Sequence, residues 1–163
     1  MVTTSYLSQN ASKALLKTKT LMMSFVLLFL VTTALTAQTT SDQALVLQKC
    51  VDLTQLQQFY PKNTDNSFQP LVIMQHAISF PTNISVAHSG DSLLFKSKSE
   101  VSSDSAYFLF WKFDILGSNA KVDFIYNYDL LTTVPKVQKV TLELLKTGSV
   151  WNVTSSSILG GTL

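Results

Sequence analysis

The stretch Tyr107-Phe-Leu-Phe-Trp-Lys-Phe-Asp-Ile115, the turn Gly117-Ser-Asn119 and the stretch Lys121-Val-Asp-Phe-Ile-Tyr-Asn-Tyr128 decide the fold. Successive side chains of a strand point to opposite faces of its sheet, so a period of two sorts residues by face. In the first stretch Tyr107, Leu109, Trp111, Phe113 and Ile115 alternate with Phe108, Phe110, Lys112 and Asp114. In the second, Val122, Phe124, Tyr126 and Tyr128 alternate with Lys121, Asp123, Ile125 and Asn127. The pattern predicts a hairpin with one aromatic face and one charged face. Val140, Leu142 and Leu144 against Lys139, Thr141 and Glu143 repeat it, and Thr147-Gly-Ser149 turns the chain into Trp151 and Val153. A sheet that reads apolar on one face and charged on the other is antiparallel, packed on one side and wet on the other. Lys112, Asp114, Lys121, Asp123, Lys139 and Glu143 then interleave as opposite-charge neighbours on the wet face.

Working back from the hairpins, the strand signals shorten and give way to a helix. Leu71 to Ser79, Asn83 to Ala87 and Leu93 to Lys96 are strand candidates, separated by Pro81 and by the turn Ser89-Gly-Asp-Ser92. Lys98 to Asp104 is a polar loop, as is Lys62 to Ser67. Further upstream, Thr40-Ser-Asp-Gln43 has the spacing of a capping box. Behind it Val46, Cys50, Leu53 and Tyr60 share a helical face, with Leu56 at its flank. Asp52 can equally cap a second short helix from Leu53 to Tyr60, and Pro61 ends either version. The expected fold class is α+β: an N-terminal helix packed on a curved antiparallel β-meander.

The closing pattern Lys139-Val-Thr-Leu-Glu-Leu-Leu-Lys146, a Gly-containing turn, then Val150-Trp-Asn-Val153 resembles the last hairpin of cystatin-like and nuclear-transport-factor-2-like domains. Ala120-Lys-Val-Asp-Phe124 resembles the strand before it. The likeness covers roughly residues 105 to 158, while the front of the chain departs from it, with at most two short helices. It implies a cystatin-like cone able to hold a pocket between helix and sheet, and no particular activity. The organisation also resembles small exported bacterial proteins of unknown function.

Residues 1 to 37 read as a signal peptide with an extended n-region, and residues 38 to 163 as a single exported domain. Lys13 to Lys19 supply the positive charge, and Leu21 to Val31 is an uncharged apolar run of eleven residues. Thr32 to Ala37 turns small and weakly polar, which places cleavage after Ala37 or Thr36. An uncleaved anchor is the rival reading, but the apolar stretch counted to Ala37 is 17 residues, at the lower edge of what spans a bilayer. Membrane contact is therefore expected only in transit, with the periplasm or the extracellular space as destination.

The leader also holds the whole positive excess. Without Lys13, Lys17 and Lys19, nine lysines face ten acids, and the chain has no arginine at all. Nucleic acid is a poor partner for such a domain, because phosphate recognition wants clustered Lys and Arg. Cys50 is the only cysteine, so no internal disulfide forms, and it lies too far from the leader to carry a lipid. In an apolar stripe it reads as a small core residue.

The chemical inventory is short. His76, His88 and Asp91 contain the residue types of a two-His, one-carboxylate site, but their spacing fits no metal motif. Ser89-Gly-Asp91 lacks the elbow of a serine nucleophile and reads as a turn. No catalytic residue, metal site or cofactor is assigned. The candidate ligand contacts are His76, Tyr126 and Tyr128, and the candidate partner surface is Phe108 with Phe110, aromatics sharing the charged face. These rank three functions. First is a non-enzymatic domain binding a protein or surface component, second a small-molecule binder with a pocket between helix and sheet, third a small hydrolase or isomerase. N-terminal sequencing of the protein recovered outside the cytoplasm is expected to start at Ala37 or Gln38. Peptides from Lys13 to Leu35 in that material would reject the cleaved leader.

Overall fold

The structure, a computed structural model, describes residues 40–132 and 134–162. The expected leader and its expected cleavage point lie outside the described residues. The chain is helical over residues 40–51 (α1) and again over Thr54–Gln57 (α2). Thr40, the first described residue, is already helical. The break at Asp52 and Leu53 matches the two-helix alternative, although Leu53 caps α2 with no side-chain hydrogen bond. Val46, Leu47, Cys50, Val51 and Leu56 are fully buried, and the Tyr60 hydroxyl donates to the Val51 carbonyl at 2.7 Å.

Eight strands follow: β1 Val72–Gln75, β2 Ala87–His88, β3 Asp91–Ser92, β4 Leu94–Ser97, β5 Tyr107–Leu116, β6 Asn119–Tyr128, β7 Lys136–Thr147 and β8 Val150–Thr162. Six form one open sheet in the order β4-β1-β5-β6-β7-β8, and β2 pairs with β3 around Ser89 and Gly90. Both turn residues have positive φ, +52° and +94°, as a two-residue hairpin turn of the right twist demands. From β5 to β8 the sheet is an antiparallel meander with the pairs the alternation predicts: Phe124 beside Val140, Val122 beside Leu142, Lys121 beside Glu143. The first strands differ from expectation. β1 runs parallel to both β4 and β5, so the sheet is mixed. Parallel neighbours need crossover connections, and residues 76–93 and 98–106 supply them.

β5 also departs from a single alternation. Its register with β6 shifts between Phe110 and Lys112, a bulge that leaves Trp111 as the extra residue. A bulge reverses the facing of the strand beyond it. Phe108 and Phe110 therefore point inward opposite Tyr126 and Phe124, and Phe113 and Ile115 point inward opposite Val122 and Ala120. Phe108 and Phe110 are 0% and 1% exposed, so neither offers a surface to a partner. Trp111, expected inside, is 41% exposed, with the Lys139 ammonium 5.9 Å from its ring centre.

The aromatic side chains interlock rather than stack in a column. Phe110 meets Phe124 at 4.8 Å, Phe108 meets Tyr126 at 4.7 Å, and Tyr60 meets Tyr126 nearly edge-on at 5.2 Å. Such pairs add about 0.5–1.5 kcal/mol each beyond their burial. Trp151 on β8, 1% exposed, is among the largest fully buried side chains.

One polar contact ties the two ends of the described chain. The buried Asp42 carboxylate accepts from Lys146 Nζ at 2.6 Å and from Trp151 Nε1 at 3.0 Å. Burial alone would raise the Asp42 pKa, but the hydrogen bonds from Lys146 and Trp151 outweigh it and hold the group below its ordinary value. A lowered folded pKa contributes stability above the unfolded pKa, and that stability is lost as pH falls through the folded value. Asp42→Asn should cost about 1–3 kcal/mol at neutral pH. The difference from wild type should shrink on acidification below about pH 4 in denaturant titrations. A gap that stays constant to pH 2 would contradict the ionised pairing. Trp151→Ala should cost ~3–5 kcal/mol, and an unchanged thermal midpoint would reject the burial of that ring.

Candidate functional site

Besides a groove of about 480 Å³ lined by Lys112, Asp114, Lys121, Glu143 and Leu145, the described surface carries one of about 660 Å³ at the end of the sheet where α2 meets the start of β1 and the end of β6. Its apolar wall is Phe59, Tyr60, Pro70, Val72 and Ala106, and its rim is Asp129, Leu131, Thr132 and Lys136. The volume falls within the roughly 300–1,000 Å³ typical of small-molecule sites. The segments forming it are turn-rich for local reasons. Pro61 and Pro70 bracket the loop after α2, where Asp65 accepts from the Ser67 amide and hydroxyl. Beyond β6, Asp129 takes a positive φ of +53°, and its carbonyl accepts from the Thr132 amide and hydroxyl.

Tyr128 stands between the core and the groove. Its ring lies 4.8 Å from Phe59 and stacks on Tyr126 at 6.0 Å, while its hydroxyl accepts from Gln138 Nε2 at 3.0 Å. Tyr126, one alternation further in, is fully buried, and its hydroxyl lies 3.4 Å from the Phe59 carbonyl. Burial pushes its phenol pKa up, so it is a neutral donor beneath the site rather than a contact in it. His76 follows the far end of β1 and is exposed there, four residues along the chain from the groove-lining Val72. Of the three expected ligand contacts, the structure therefore places only Tyr128 on the groove.

Two acids, Asp104 and Asp129, and one lysine, Lys136, line the groove together with the polar Gln58, Gln69 and Ser105. Lys136 Nζ and Asp129 Oδ2 pair at 2.8 Å across the rim. The hydrogen bond to Asp129 and its negative charge raise the Lys136 pKa, keeping that ammonium charged. Phe59, Leu131 and Lys136 were not singled out from sequence; they come from three separate segments, and no local pattern joins them.

Elsewhere, buried polar groups sit where sequence alternation put solvent. Asn127 lies between Tyr107 and Val137 on the sheet, is 0% exposed, and has neither amide atom hydrogen bonded. His88 is also buried, its Nδ1 3.7 Å from Asp52 Oδ1 and its ring edge-on to Tyr60 and Phe68. Gln48 pins this corner by donating to the Asp52 carboxylate and the Ala87 carbonyl. Among the described residues no group of three His, Cys, Asp or Glu side chains is placed to hold a metal. Cys50 is fully buried and burial pushes its thiol pKa up, so it carries no thiolate nucleophile.

Comparison with known protein families, curated proteins and solved structures finds no match for the chain. Function is therefore read from the site alone. The burial of Cys50 is directly checkable with a chromogenic disulfide reagent. The native protein should react at least about a hundredfold more slowly than the denatured chain. Equal rates would contradict this core.

Proposed function

We propose that the chain is an exported, non-catalytic binding domain that takes a small amphipathic ligand in the groove between α2 and the sheet. One observation carries the reading: an aromatic wall of Phe59, Tyr60 and Tyr128 faces a rim with a charged pair, Asp129 and Lys136. An apolar wall with a few convergent polar groups is the usual composition of a ligand site. The first-ranked version, a protein-binding face built on Phe108 and Phe110, loses its surface because both rings are in the core. Catalysis would need a nucleophile held against a base or an acid poised in a cleft. The groove instead presents Lys136 paired with Asp129, and Asp104 taken up by the Ser102 hydroxyl.

The leader supports export, as Leu21 to Val31 followed by small residues is the composition that a secretion apparatus reads. The likeness to cystatin-like domains supports a pocket between helix and sheet, since the β7–β8 hairpin keeps the leucine-rich strand, the Gly148 turn and the Trp151-Asn-Val153 strand. The cone itself remains part of the proposal.

Anilinonaphthalene sulfonate is a suitable probe, being aromatic and fluorescent in apolar surroundings. Its fluorescence should rise on binding, and the combination Tyr128→Ala with Leu131→Ala should weaken binding by about tenfold, or 1.4 kcal/mol. Trp111→Ala, on the other face, should leave it unchanged. Loss of binding in the Trp111 variant alone, or no enhancement at all, would reject the groove as the site.

A further inference from the structure

The two edges of the sheet are built differently. β4 is four residues long, contains Lys96, and is followed at once by Lys98 and Glu100, whose carboxylate folds back onto the Ser97 amide and hydroxyl. Short, charged, capped edges of this kind resist pairing with another chain. β8 is thirteen residues long, about 43 Å at strand rise, and pairs only with β7. From Val150 to Thr162 it has no charged residue and no proline, and nearly all of it is exposed. Its only irregularity is a bulge at Thr154.

We propose that β8 is the interface of a symmetric homodimer, in which the β8 strands of two copies pair antiparallel about Ser156 and join their sheets. The occupant is a second copy because the strand is complementary to itself. Ser156 is its midpoint, so Ser155 of one copy lies opposite Ser157 of the other. With Thr154 bulged in each copy, Val153 lies opposite Ile158, and both face the side that carries Leu144 and Val140. Farther out, the exposed Val150 falls opposite Gly161, which has no side chain to clash, while the Trp151 ring stays buried in its own core. No charge opposes a like charge anywhere along the strand. A two-fold contact makes each of these pairs twice, since residue i meeting j requires j to meet i.

Light scattering on the protein purified from its host should give twice the chain mass at micromolar concentration, with dissociation on dilution. Ser156→Lys sets two ammonium groups against each other on the axis and should shift the protein to monomer, weakening association at least about tenfold. At dilutions where wild type is also monomeric the two thermal midpoints should coincide, because Ser156 is exposed in the monomer. Ser156→Cys should cross-link into a covalent dimer under mild oxidation, since opposed strand residues lie within disulfide reach. Ser118→Cys, at the β5–β6 turn, should not. A wild-type monomer at all concentrations, a Ser156→Lys protein that remains dimeric, or a Ser156→Cys protein that does not cross-link would each overturn the proposal. Wild type that is monomeric alone but forms a mixed complex with a strand of another protein would overturn it as well. None of these readouts depends on the groove.

Discussion

The aromatic core along β5 depends on the extra residue at Trp111. Without that bulge, a regular β5 could bury either the pair Phe108 and Phe110 or the pair Phe113 and Ile115, but not both. With it, all four face inward, and the one ring ejected is Trp111, half-covered by the Lys139 side chain. A cation above an indole face recovers part of what exposure of the ring loses. The bulge also increases local twist. The aromatic core can then extend along the strand, with Phe80 meeting Phe110 and Phe113 nearly edge-on.

The polar contacts that matter are few and lie at the ends of elements. Asp42 joins α1 to the last hairpin, Gln48 joins α1 to β2, and the Tyr60 hydroxyl closes the chain after α2 back onto α1. The buried ones, at Asp42 and Tyr60, satisfy groups that the apolar core could not, and are worth more as locating pins than as sources of net stability. The ion pairs on the outer face, such as Lys121 with Glu143, are exposed and contribute little by comparison.

How much of this was legible in the sequence varied with the contrast between neighbouring residues. β6 and β7 alternate lysine, aspartate or glutamate with apolar residues, and their facing and register follow the alternation. Tyr107 to Trp111 is apolar at every position, so its facing cannot be read locally; extending the phase of Phe113 and Ile115 backward put Phe108 and Phe110 on the wrong side. The parallel placement of β1 was illegible for a different reason. Four residues of strand carry no sign of their partner, and which neighbours they join is settled by long-range packing. The same holds for the groove: Tyr128 was found because it continues an alternation, whereas Phe59, Leu131 and Lys136 meet it only through the fold.

The mixed sheet has a consequence for how the chain acquires its structure. The meander from β5 to β8 is made of strands adjacent in sequence, and its two tight turns, at Gly117 and Gly148, close only short loops. β1 must instead find β5 across more than thirty residues, and Asp42 must find Trp151 across 109. Contacts distant in sequence carry the larger entropy of loop closure before they gain anything, so they form late. The C-terminal meander is the natural nucleus, and the helices, β1 and β4 dock on it afterwards. The groove is assembled from both halves, so it comes into being only with the last step of folding and is the first feature to be lost when the late-docking half opens.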